Sequence, residues 1–226
     1  MHGYYSQGLS AERLLRVYEL APPRVKRHLK AEIEFVLERI KPSDLVLELG
    51  CGYGRVLERF VERARTVIGI DTSHESLRLA QERMRVRPFY YLLGMNAVEL
   101  GFHHQQFDIV ACIQNGISAF KVDQRTLIGE AIRVTKPGGR VLFSSYSKSF
   151  WENRLEWFQI QADHGLIGEI DYETTGDGII VCKDGFEATT VGPDGFEALT
   201  SGFDIDPEIT EVDGSSIFCE IRVGAR

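Results

Sequence analysis

Apolar residues change their rhythm along the chain, and the changes mark out elements. Leu14, Leu15 and Tyr18 recur at helical spacing behind Ser10, a good N-cap, so a helix is predicted to Leu20, where Pro22-Pro23 interrupts it. Ile33, Val36, Leu37 and Ile40 form a second apolar stripe within Pro23 to Ile40, while Arg24, Lys26, Arg27 and Lys30 face water. From Asp44 the pattern becomes strand (Leu45 to Leu49), glycine turn, helix (Gly54 to Ala64) and strand (Thr66 to Ile70), a βαβ unit. Thr72 and Glu75 have capping-box spacing for a helix to about Arg85, and strands follow at Phe89 to Leu93, Phe107 to Ile113 and Arg140 to Ser145. Alternation with short loops implies a mainly parallel sheet with helices on both faces.

After Tyr146 the rhythm changes again. One helix (Phe150 to Asp163) precedes a stretch punctuated by Gly176-Asp177-Gly178, Asp184-Gly185 and Asp194-Gly195, which reads as β-rich. Ile179 to Cys182 and Phe186 to Val191 make a hairpin around Lys183-Asp184-Gly185, and Glu208 to Val212 with Ile217 to Val223 finish the sheet. A near-repeat, Asp184 to Thr189 and Asp194 to Leu199, is expected to be strand in its first copy and a short helix in its second.

Composition narrows the picture. Of 226 residues, 43% are hydrophobic and 26% charged, as in globular domains. The net charge of −7 disfavours a nucleic-acid backbone as partner. That charge is uneven: residues 1–150 carry 22 Lys+Arg against 16 Asp+Glu, and residues 151–226 carry 4 against 17. Cys51, Cys112, Cys182 and Cys219 are dispersed, suggesting neither zinc nor disulfides, and free thiols fit a cytoplasmic location. No apolar run approaches a membrane span. Oligomeric state is not legible.

The candidate chemistry lies at the first turn. Gly50, Gly52 and Gly54 permit a sharp strand-to-helix turn and close approach of backbone to a ligand, and Asp71, ending the second strand, suits a ribose diol. Dinucleotide-binding proteins share this arrangement in outline, with a G-x-G-x-x-G turn and an acidic residue about 20 positions later, so the turn alone admits two cofactor classes.

Further residues separate them. The stretch Glu48 to Gly54 matches E/D-x-G-x-G-x-G, position 55 is Arg rather than Gly or Ala, and Gly94-Met95-Asn96-Ala97 stands where a Gly-Asp-Ala motif is usual. Phe107 to Gly116 and Lys136-Pro137-Gly138-Gly139 complete the set. With these motifs the chain resembles the class I S-adenosylmethionine-dependent methyltransferases, small-molecule branch, of the ubiquinone-biosynthesis and glycine N-methyltransferase types, firmly over residues 44 to 147. The resemblance implies a Rossmann-like, doubly wound, mainly parallel seven-stranded α/β sheet. It also implies an N-terminal helical lid (1–43) and a methyltransferase domain (44–226) with a β-rich insertion at about 165–195, before the last two strands.

It implies S-adenosyl-L-methionine as cofactor, held by Glu48, Gly50, Cys51, Gly52, Gly54, Asp71, Thr72, Asn96, Ala97 and Gln114, and no metal. Asn96 departs from the usual acidic residue, although its amide oxygen can still accept from the adenine amino group. For the acceptor side, Asn115 is a candidate for orienting substrate or a turn residue, Tyr5 a candidate lid aromatic, and His164 a candidate general base. The function so implied is methyl transfer to the oxygen or nitrogen of a small molecule. The alternatives are an RNA or protein methyltransferase, a NAD-dependent oxidoreductase, and a cofactor-binding protein without activity.

Overall fold

The computed structural model describes residues 11–224. Two helices come first, α1 (Ala11–Glu19) and α2 (Pro23–Leu37). Pro23 opens α2, where a missing N–H costs nothing, and Val25, Leu29, Ile33 and Val36 form its buried stripe. The predicted extension to Ile40 gives way to turns after Leu37.

Strand β1 (Leu45–Leu49) leads through the glycine turn to α3 (Leu57–Val61) and β2 (Thr66–Asp71). The helix expected from Gly54 is thus shorter, because residues 50–54 are taken up by the turn. Next come α4 (His74–Met84), β3 (Tyr90–Gly94), β4 (Phe107–Cys112), α5 (Gly116–Ala119) and α6 (Gln124–Val134). The cap of α4 is Ser73, whose hydroxyl accepts from Ser76 N, and not Thr72. Strand β5 (Thr135–Tyr146) and α7 (Trp151–Asp163) follow, the helix entered through a single 3-10 turn. The insertion contains a hairpin, β6 (Ile180–Val181) with β7 (Glu187–Ala188), and then α8 (Pro193–Thr200). The two near-identical peptides do take different structures, and Pro193 at the first turn of α8 starts the helical copy.

Strands β8 (Pro207–Val212) and β9 (Ser216–Arg222) complete a seven-stranded sheet of order β3-β2-β1-β4-β5-β9-β8. Pairs from β3 to β5 are parallel, and β9 is antiparallel to both neighbours. Alternation puts Val46 in one core, with Phe60, Leu142 and Phe218, and Leu47 in the other, with Leu127, Phe143 and Cys219. A third cluster joins α1 and α2 to α7 and the hairpin through Val17, Leu29, Trp157 and Phe186, beside Tyr146 at the C-terminal end of β5. This is a Rossmann-like α/β fold. Among the described residues no helix is long and apolar enough to cross a membrane.

Candidate active site

The glycine turn is built by backbone strain that only glycine tolerates. Gly50, Gly52 and Gly54 have φ of +74°, +50° and +85°, and a Cβ at Gly50 would lie 2.4 Å from the Phe120 ring. Gly50 N and Cys51 N both donate to Ile70 O at 2.9 Å, tying the turn to β2. Asp71 finishes the tie: Oδ2 accepts from Gly52 N and Oδ1 from Ser73 N, each at 2.8 Å. Burial raises the Asp71 pKa above the usual carboxylate range, and these N–H groups work in the opposite direction.

Over this turn and the C-terminal edge of β1, β2 and β4 lies a cavity of about 220 Å³. Glu48, Gly50, Cys51, Gly52, Asp71 and Thr72 line it, as do Asn96, Ala97, Gln114 and Asn115. Gly54 does not; a Cβ there would meet Met84 Sδ at 2.9 Å and Ala80 Cβ at 3.2 Å, so this glycine serves the packing of α4. The Cys51 side chain likewise turns away, toward the space beside Gly69, and burial pushes its thiol pKa up.

Glu48 is the polar group least at rest. It is 4% exposed, and among the described residues its Oε2 has no hydrogen-bond partner. Burial pushes its pKa up to about 8, with Arg55 acting against the shift and Asp71 with it. A buried acceptor of this kind suits a cationic group entering the cavity, and the glycine turn leaves room for one. Asn96 is exposed, and its Oδ1 accepts from Val98 N at 3.2 Å, which leaves one lone pair of the amide oxygen for another donor.

The exit of β4 is strained: Gln114 and Asn115 have φ of +59° and +63°. Asn115 Nδ2 donates to Thr189 O at 3.0 Å and its Oδ1 accepts from Ser145 Oγ at 2.7 Å. Both ends of the amide therefore fasten the insertion to the sheet, and the turn reading of Asn115 fits better than the substrate-orienting one. His164 faces solvent at the end of α7, with Nδ1 2.8 Å from Ile160 O, and does not reach the cavity because α7 carries it away. Tyr5 lies outside the described residues.

Several lining residues were missed from sequence. Tyr18, read as part of an apolar stripe, and Arg55, read as a departure from a fingerprint, both line the cavity, together with Tyr146, Trp157 and Phe158. Gln114 Oε1 accepts from Arg55 and, at 3.4 Å, from the Tyr18 hydroxyl. Behind them Glu32 Oε2 accepts from Gln114 N and Oε1 from Ser216 Oγ, both at 2.7 Å. Burial pushes Glu32 up to about 7. His28, one turn before Glu32, is pushed down to about 3 by burial and by Arg24, and its ring is stacked on Tyr146 and Phe150. A polar pair at positions 28 and 32 within the apolar face of α2 was the available signal.

A family profile described as a methyltransferase domain matches residues 46–139. Over 121 residues the chain is 32% identical to a ubiquinone biosynthesis O-methyltransferase from Pseudomonas fluorescens, covering 52% of this chain and 51% of the relative. Over 111 residues it is 32% identical to a demethylmenaquinone methyltransferase from Streptomyces griseus, covering 49% and 46%. The chain thus spans about half the length of the curated relatives it matches. In fold it is similar to the N-methyltransferase NodS from Bradyrhizobium japonicum, solved with S-adenosyl-L-homocysteine, at 15% identity and a TM-score of 0.64 over 97% of this chain and 96% of that one. With its sheet order, its glycine turn and the methyltransferase-domain match over residues 46–139, the chain resembles the class I S-adenosylmethionine-dependent methyltransferases.

Proposed function

We propose that the protein transfers a methyl group from S-adenosylmethionine to an oxygen or nitrogen of a small-molecule acceptor. The observation that carries this reading is the unpartnered, buried Glu48 carboxyl beside a glycine turn bridged by Asp71. The cofactor supplies a methyl group already activated on a sulfonium, so the chain has to hold and shield rather than activate. Glu48 receives the ammonium of the cofactor, and the backbone at Gly50, Cys51 and Gly52 lets its amino-acid end lie close. Asp71 keeps spare lone pairs after binding Gly52 and Ser73, and these accept the ribose hydroxyls, with Thr72 beside them. Asn96 and Ala97 border the adenine, and Gln114 borders the sulfur end.

A small acceptor fits the enclosure. Tyr18 from α1 and Trp157 and Phe158 from α7 wall the cavity, so α1 acts with α7 as a cover that excludes water. The relatives' names include an O-methyltransferase and an N-methyltransferase, consistent with either atom. The acidic C-terminal part disfavours RNA. An amine lone pair or an ionised hydroxyl needs orientation more than a base, and the tight enclosure supplies orientation.

The test is calorimetric titration with S-adenosylhomocysteine and, separately, NAD, followed by transfer of labelled methyl to panels of small phenols and amines, bulk RNA and bulk protein. Heat with S-adenosylhomocysteine and label on a small molecule are expected. Heat with NAD alone, or label only on a macromolecule, would overturn the reading.

A further inference from the structure

We propose that Arg55 and Gln114 form a carboxylate-binding corner of the cleft, selecting acceptors that carry a carboxylate on a flat apolar body; this rests on the methyl-transfer reading above. Arg55 lines the cavity and is half-buried. Other arginines of the chain have acidic partners: Arg24 pairs with Asp213, Arg59 with Glu34, Arg87 with Glu58 and Arg133 with Glu130. Arg55 has no carboxylate at salt-bridge distance among the described residues, and its charge reaches the buried Glu48 and Glu32 only from farther away. Its one side-chain acceptor is the neutral Gln114 Oε1, and its Nε is buried with no partner. Gln114 Nε2 is buried without a partner as well.

Two unsatisfied buried donors on side chains already bonded to each other, one of them always cationic, form a geometry that a planar anion completes. A carboxylate supplies the charged acceptor that water does not. The surroundings define the rest of the ligand. The Arg55 guanidinium lies 4.2 Å over the Tyr18 ring, which fixes its plane and leaves its edge for hydrogen bonding. Tyr18 is followed by Trp157, with centroids 6.0 Å apart, and Trp157 by Phe158 at 6.2 Å. This wall comes from α1 and α7, outside residues 46–139, and reaches the β4 exit where the Tyr18 hydroxyl donates to Gln114 Oε1. The corner therefore fits an acceptor's carboxylate, with the aromatic wall against its ring.

The experiment uses the full chain saturated with S-adenosylhomocysteine and compares benzoate with benzamide, of the same shape but uncharged, by ligand-observed NMR. Benzoate is expected to bind at least about tenfold more tightly, from charge-assisted bonds to the guanidinium. Arg55→Gln should erase that preference and Arg55→Lys retain part of it, with S-adenosylhomocysteine affinity of both variants, compared at about pH 9 where Glu48 is largely ionised, within about threefold of the unmodified protein. Retained cofactor binding also reports that the variants fold. Equal binding of the two probes by the unmodified protein overturns the proposal. So does an Arg55→Gln variant that at about pH 9 loses S-adenosylhomocysteine about tenfold while binding 5′-methylthioadenosine normally, since the corner would then hold the cofactor's own carboxylate. If the unmodified protein binds no S-adenosylhomocysteine, the methyl-transfer reading itself fails and the proposal fails with it.

Discussion

Replacing Glu48 with glutamine tests the cofactor site through its protons. In the free protein burial holds the Glu48 carboxyl up to about 8, so at pH 7 about one molecule in eleven carries the charge that pairs with a cofactor ammonium, and at pH 6 about one in a hundred. Only the ionised fraction is competent, and apparent affinity scales with it. Ionising Glu48 at pH 7 thus costs about 1.4 kcal/mol, and affinity for S-adenosylhomocysteine should rise close to tenfold from pH 6 to pH 7. Calorimetry in buffers of different ionisation enthalpy should find about 0.9 proton released on binding at pH 7. Glu48→Gln should bind more weakly at pH 8 and lose both the slope and the proton release. The raised value has a second consequence. The neutral carboxyl favours folding, so its stabilising effect is complete below the ordinary value of 4.5 and is lost as pH rises through about 8. Glu48→Gln should therefore gain in melting temperature relative to the unmodified protein at pH 9 more than at pH 5. A flat wild-type affinity profile between pH 6 and 7, or the same slope in Glu48→Gln, would refute the reasoning.

Three other outcomes are expected. Asp71→Ala should weaken S-adenosylhomocysteine binding at least about tenfold and also lower the melting temperature, since Gly52 N and Ser73 N lose their acceptor; unchanged calorimetric affinity would mean that the ribose is held elsewhere. Asn115→Ala removes two hydrogen bonds of about 0.5 to 1.5 kcal/mol each and should loosen the insertion, read as faster proteolysis between residues 165 and 195, with a lowered melting temperature. His164→Ala should keep kcat/KM within about twofold of the unmodified protein, because its ring faces solvent; a larger loss by steady-state kinetics would restore it as a base.

The parts of the fold that local pattern governs were legible. β1, β2 and β4 are apolar runs between turn signals, and they appear within a residue of the expected limits. Where local alternatives were nearly equal, tertiary contacts decided. Thr72 and Ser73 can each cap α4, and Ser73 does so, with its N–H taken by Asp71. The first of the two near-identical peptides is a strand because it pairs with β6, and the second is a helix because Pro193 precedes it. In the candidate site, the glycine turn and Asp71 form a local motif and could be read directly. Glu32 is not adjacent to Gln114 in sequence, 82 positions away, and Asn115 reaches Thr189 across 74. Such pairings arise only once the sheet brings its edges together, and no spacing rule announces them.

The position of β9 bears on how the chain is made. The last strand lies inside the sheet, between β5 and β8, and its partner β5 carries Val141, Leu142 and Phe143, all fully buried. While a ribosome still holds residues 207–222, β4 can pair with β5 but the other edge of β5 stays open, with unsatisfied amide groups beside apolar side chains. The nascent chain therefore passes through a stage at which a strand carrying three residues destined for the core is its edge, and synthesis stalled before Pro207 would release a sticky intermediate for chaperones to hold.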